Sequence, residues 1–362
     1  ETTPTTELQS LHLNSDNFES TGFPAAVIIR VMVDRTGVVW AGTFRQGAFR
    51  YHPEYASVNY QPVYNSSRQT EDNFATVWAL SENVANDLVL VTQERGLAKF
   101  DKLSGKVNYL VHSDEDSIQT NYWDLAIDAQ GYYWVASSDG LIAFKEENGT
   151  VVKAAHLFEG DIIDHIHYHE DMIWVWHEKL ATQYIDTRAL TTPNKELSPT
   201  KLSIEGLPTT LIPFFTDSSQ RLWLREDQEI TILSPFSQSI VAHISQKDGL
   251  NSQVYSVYET DEAFWLTTRS DGVLMADKDS FEIVKRQVRN DRNGYIISSI
   301  GVGRSIWYAD AAGVHQIALP SLTQESLIPY SELSYNSLGE SSVFVAQDDS
   351  IYFGGSKGYN KI

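Results

Sequence analysis

The chain has 362 residues, 42% of them hydrophobic and 12% aromatic, and a formal net charge of -21. That is enough apolar material for a large core or one long all-β domain, and so acidic a surface repels nucleic acid and anionic lipid. The absence of cysteine removes disulfides, thiolate nucleophiles and cysteine-bound metals together, and no run of 18 apolar residues reads as a membrane-crossing helix.

The opening Glu1-Thr2-Thr3-Pro4 has no Met and no leader pattern, which predicts a processed or excised piece of a longer protein. Leu8 to Leu13 reads as a short strand without a local partner. The first full unit runs from Phe23 to Pro62, with strands predicted over Val27–Val33, Val38–Gly42, Ala48–Tyr51 and near Ser57–Tyr60. Each is short, β-branched or aromatic, and bounded by turn residues. Its second strand carries Trp40, and seven later segments repeat the plan. The corresponding markers are Val89, Trp134, Trp174, Trp223, Trp265, Trp307 and Phe353.

Four short strands recurring every 40–50 residues, about the spacing of propeller blades, predict an all-β β-propeller of four-stranded blades, 1–362 forming a single domain. The last unit stops after three strands, at Ile362. Leu8–Leu13 is expected to supply its fourth strand and close an eight-bladed ring, which removes two open sheet edges. The alternative is seven blades, with one terminal unit left over from a neighbouring domain. The tryptophans are expected to pack between blades. The Asp-x-x-Gly turns suggest calcium, but polar turns of this kind need no metal.

Unit one carries Asp34, Gly37, Trp40, Gly42, Thr43, Gly47 and Tyr51, and Asn73, Asn121 and Asn251 precede the first strands of later units. This pattern resembles the two-component regulator propeller repeat. The resemblance implies the ligand-sensing ectodomain of a membrane-anchored bacterial histidine kinase or diguanylate cyclase, in the periplasm. It also implies downstream immunoglobulin-like, membrane and output domains in the same polypeptide. On this reading the chain is no enzyme, needs no cofactor and acts through packing changes in a homodimer.

In a propeller the loops entering each first strand and those joining second to third strands share one face. Residues expected there to contact a small polar ligand such as an oligosaccharide are Phe44, Arg45, Gln46, Asn73, Arg95, Asn121, Tyr122, Trp123, His177, Arg225, Asn251, Arg269, Tyr295 and Lys357. Rings stack on such a ligand and amides hydrogen-bond to it. His165, His167 and His169 alternate on one side of a strand. A metal would use two or three of them, but packed, hydrogen-bonded histidines are the expectation. No Gly-x-Ser-x-Gly, His-Glu-x-x-His or phosphate loop is present. Loop-face carboxylates, including Glu94, Asp139, Glu178, Asp227 and Asp271, leave a lyase or glycosidase as one alternative. A protein-binding scaffold is the other.

Overall fold

A computed structural model describes residues 27–35, 37–44, 48–51, 58–63, 75–92, 96–101, 106–111, 120–177, 181–192, 195–208, 210–287, 294–329, 333 and 338–362. The strand Leu8–Leu13 therefore lies outside the described residues.

The Asp-x-x-Gly-x-x-Trp pattern builds the turn between the first two strands of a unit. Asp128 is buried, and its Oδ1 accepts the backbone N–H groups of Gln130 and Tyr132 at 3.0 and 2.8 Å. Its Oδ2 accepts the indole N–H of Trp134 at 2.9 Å. Asp217 does the same for Ser219, Arg221 and Trp223. Asp34 accepts from Val38 and Trp40. A buried carboxylate is tolerated because every donor the turn would orphan points at it. These bonds also explain the pattern without a metal: the oxygens are spent on N–H donors. Where strand two has Val89 instead of Trp, an amide suffices, and Asn83 Oδ1 accepts from Ala85 and Asp87.

The first three strands, β1 (Ile28–Val33), β2 (Val39–Thr43) and β3 (Ala48–Tyr51), form a three-stranded sheet of their own. After β4 (Asn59–Pro62) comes blade 1, β5 (Val77–Glu82), β6 (Leu88–Thr92), β7 (Gly96–Asp101) and β8 (Lys106–Val111). Blade 2 holds β9 (Tyr122–Ile127), β10 (Tyr132–Ser137), β11 (Gly140–Glu147) and β12 (Thr150–Leu157). Blade 3 holds β13 (Ile166–His169), β14 (Met172–Val175), β15 (Gln183–Asp186) and β16 (Thr200–Lys201). Blade 4 holds β17 (Ile212–Thr216), β18 (Leu222–Glu226), β19 (Glu229–Ser234) and β20 (Ser239–Ile244). Blade 5 holds β21 (Val254–Glu259), β22 (Ala263–Thr268), β23 (Gly272–Asp277) and β24 (Ile283–Arg286). Blade 6 holds β25 (Ser298–Val302), β26 (Ser305–Asp310), β27 (Gly313–Ala318) and β28 (Thr323–Pro329). Blade 7 begins with β29 (Leu338–Val345), β30 (Ile351–Gly355) and β31 (Gly358–Lys361).

Every strand pair is antiparallel, and β4 completes blade 7 by pairing with β31, Asn59 opposite Lys361 and Pro62 opposite Gly358. The first strands touch in closed order, β5, β9, β13, β17, β21, β25, β29 and back to β5. Seven hydrophobic cores lie between consecutive blades, one at each junction. Trp134, Trp174, Trp223 and Trp265 are buried in them, as expected, and Trp307 packs against the core between blades 6 and 7.

The ring thus has seven blades, which corrects the eight-bladed expectation and agrees with its alternative. Periodicity counted eight units correctly but assigned the closing strand wrongly. The segment read as the fourth strand of unit one is β4, and it crosses to blade 7. What remains of unit one, β1–β3, contributes no residue to the seven described cores. Its apolar first strand is open to solvent, with Val31 at 56% and Val33 at 63% exposure, and Trp40 is 36% exposed rather than packed between blades.

Candidate functional site

The antiparallel order places the loops into β9, β21 and β25, and the β18–β22-type second-strand ends, on one face of the ring. The Asp-capped turns lie on the opposite face. Among the sequence-predicted residues, Arg45, Gln46, Asn73 and Arg95 lie outside the described residues. Phe44 is exposed but follows β2, in the separate sheet.

The others divide between scaffolding and surface. Asn121 uses its backbone to lock the loop before β9 to the turn after β10: its N–H donates to Ser138 Oγ at 3.0 Å and its carbonyl accepts from Ser138 at 2.9 Å. Tyr122 is buried, its ring 6.4 Å from that of Phe144, and serves the core between blades 1 and 2. Trp123 is half-buried. His177 is 4% exposed, with Nε2 3.5 Å from Asp161 Oδ1. Lys357 is half-buried, and its carbonyl accepts from Val63, where the chain leaves β4. Asn251 is exposed, its N–H donating to Asp271 Oδ2 at 3.1 Å and its side-chain amide to the Gly249 carbonyl at 3.2 Å.

Three predicted residues meet around the start of β21. Arg225, near the end of β18, donates through Nη1 to the carbonyls of Val254 and Tyr255 at 2.9 and 3.0 Å. Its guanidinium carbon lies 5.2 Å from the centre of the Phe214 ring. Burial pushes this guanidinium below its ordinary range, and the electronegative neighbours Tyr255 and Asp124 act against that shift. Arg269 lies on the other side, its backbone N–H on the Gln253 carbonyl at 2.8 Å and its guanidinium 4.4 Å from the centre of the Tyr295 ring. Tyr295 is 58% exposed. Phe214, Tyr255 and Asp124 were missed by the sequence reading. They are strand residues, and only the ring brings them to the channel mouth.

Below this mouth a cavity of about 270 Å³ runs along the first strands of blades 5 to 7, lined by Tyr255, Ser256, Tyr258, Ser299 and Val343 among others. No charged side chain lines it, and Ser256 and Ser299 bond each other at 2.6 Å. A second cleft, about 360 Å³, opens on the opposite face between blades 5 and 6, beside Glu259, Asp261 and Arg304. Tyr258 borders both.

Two of the three histidines bridge blade junctions. His165 Nδ1 lies 3.1 Å from Asp124 Oδ2, and His167 Nε2 lies 2.9 Å from the Thr216 hydroxyl. Burial pushes the His167 imidazole down to about 3, and His165 and His169 add to the shift. Among the described residues, no group of three or more histidines and carboxylates is arranged to hold a metal ion. The loop-face carboxylates Asp139, Asp271 and Asp310 are engaged with Gly160 N–H, Asn251 N–H and His315 respectively.

No family model and no curated protein sequence matches the chain. Solved structures do match. The extracellular domain of a protein assigned as a hybrid two component system, BT3049 from B. thetaiotaomicron, aligns at a TM-score of 0.68 and 16% identity, over 92% of this chain and 45% of that one. A second such extracellular domain, BT4673 from the same organism, aligns at 0.67 and 13% identity, over 92% and 46%. A catalytically inactive virginiamycin B lyase from Staphylococcus aureus, solved with quinupristin, aligns at 0.58 and 13% identity, over 84% and 98%. The chain spans about half the length of the first two. The repeat read from the sequence and the architecture agree: the chain has the propeller fold found in the extracellular domains of these two-component systems.

Proposed function

We propose that the chain is a non-enzymatic sensor region of a membrane-anchored bacterial signalling protein, a histidine kinase or diguanylate cyclase, working in the periplasm. The observation that carries this is the alignment of 92% of the chain with extracellular domains of hybrid two-component systems. Immunoglobulin-like, membrane and output domains would complete the polypeptide. The β1–β3 sheet has the strand order and Asp–Trp bond of a blade but joins no ring among the described residues; on this reading it belongs to a neighbouring propeller. A small polar ligand, an oligosaccharide being the favoured class, would bind at the loop face around the channel mouth. Signalling would follow if the ligand binds one packing of a propeller dimer more tightly than another, since only differential affinity shifts an equilibrium.

A glycan panel screened by thermal shift tests this, because a ligand specific to the native state raises stability. The hit should then slow hydrogen exchange at 121–123, 251–255 and 294–297. Protection confined to the Asp-capped turns on the other face would sink the proposal. Turnover of the hit would move the protein to the lyase or glycosidase reading, which the likeness to the lyase keeps in view.

A further inference from the structure

Arg225 and Arg269 flank the first residues of β21 from neighbouring blades, and each guanidinium leans on an aromatic ring. Neither has a carboxylate at ion-pair distance among the described residues. Arg221, Arg188, Lys99 and Lys278 are each paired with a carboxylate, at 2.7, 2.9, 3.2 and 2.7 Å, whereas Lys285 and Arg286, like Arg225, rest on backbone carbonyls. Arg225 differs from these two in its burial. In a chain with 48 acidic and 27 basic residues, carboxylates are not scarce.

Two acids of these loops and strands, Asp271 and Asp124, are occupied. Asp271 Oδ2 holds the Asn251 N–H, and Asp124 Oδ2 holds the Ile166 N–H at 3.0 Å and His165 at 3.1 Å. Arg225 also keeps its Nε buried with no acceptor. Asp124 attracts the Arg225 guanidinium only from beyond ion-pair distance. Removing a guanidinium from water without a directly paired carboxylate is costly, and two backbone carbonyls supply dipoles, not charge. Each guanidinium also lies over an aromatic face, Phe214 for Arg225 and Tyr295 for Arg269, a cation–π contact that helps to hold it in place. A fixed guanidinium fork matches the paired oxygens of a carboxylate or sulfate. We infer that this corner of the loop face is an anion subsite, taking a carboxylate or sulfate ester carried by the polar ligand. The inference rests on the sensor reading for its setting and sharpens the ligand class.

The test compares three probes on one scaffold, galacturonate, galactose 6-sulfate and galactose, by calorimetric titration of the intact chain. One of the two charged sugars should bind at least about tenfold tighter than galactose, and its affinity should fall as salt screens the contact. Which of the two binds tighter identifies the anion. Arg269→Gln, an exposed position, should lower that affinity about tenfold toward the neutral sugar's value. Arg225→Gln should do the same, with circular dichroism verifying that the ring is intact. Equal binding of galactose, or unchanged binding by both variants, would overturn the anion subsite and leave the sensor reading intact. Binding of none of the three overturns it as well, and the glycan panel then decides the sensor reading separately.

Discussion

His167 sits at the junction of blades 3 and 4, with its Nε2 on the Thr216 hydroxyl and its proton affinity lowered to about 3 by burial and by the two neighbouring imidazoles. An unfolded histidine titrates near 6.5. Below that pH the unfolded chain takes up a proton that the folded chain refuses, so stability is fully present above about 6.5 and is lost as pH falls toward 3. Asp186 acts with the same sign in a lower window: Arg188 and Lys195 hold its carboxyl below the usual range, so its contribution is lost only as pH falls below about 4. The interval between pH 7.5 and 4.5 therefore separates the histidine from Asp186. Urea unfolding should show roughly 2 kcal/mol lost across it, and His167→Gln should flatten that slope. A variant with the same slope as the parent would refute the assignment. At this scale the sequence was informative where chemistry is local. The spacing of Asp128 and Trp134 announces the turn, because both partners lie six residues apart. The Thr216 partner of His167 lies 49 residues away, and no local pattern reveals it.

Strand boundaries were largely legible, even in the separate sheet. The predicted Val27–Val33 and Ala48–Tyr51 correspond to β1 and β3, because β-branched runs between polar turns leave few alternatives. Contacts between blades were not legible. Gly301 reads as an ordinary strand residue, yet the Tyr258 ring from blade 5 occupies the space a Cβ would need. The ring's hydroxyl then donates to the Gly303 carbonyl at 2.9 Å. Gly301→Val forces the ring off this seat and should cost about 1–3 kcal/mol in chemical denaturation. A valine variant as stable as the parent would show that blades 5 and 6 are free to part here.

For the whole ring, counting blades and knowing which strand closes them are different problems. The period of the repeat supplied the number of units. Closure depends on β4 meeting β31 across almost 300 residues of sequence, and two strands at the start of the chain have the pattern to do it. The site was legible in the same uneven way. Arg269 and Tyr295 follow from their loop positions and Arg225 from its place at the loop end of β18, whereas Phe214 and Tyr255 reach the mouth only through ring geometry. Truncation distinguishes the two closures. A chain lacking residues 1–51 loses the separate sheet but keeps β4, and should melt within a few degrees of the parent, since the seven cores are untouched. Removing residues 1–63 also takes the outer strand of blade 7 and exposes the β31 edge, and should lower the melting temperature sharply or cause aggregation. Equal melting of both chains would contradict closure by β4.

The pairing of Asn59 with Lys361 has a mechanical meaning. The chain enters β4 and leaves β31 at neighbouring points, on the side of the ring away from the channel mouth. A pull applied between Asn59 and Ile362 is carried by that short ladder and bypasses the other six blades. The load opens the ladder from its Asn59–Lys361 end, one pair at a time. For such a pull the ring is a side branch of the force path, and one face can change shape without lying in series with the tension on the other.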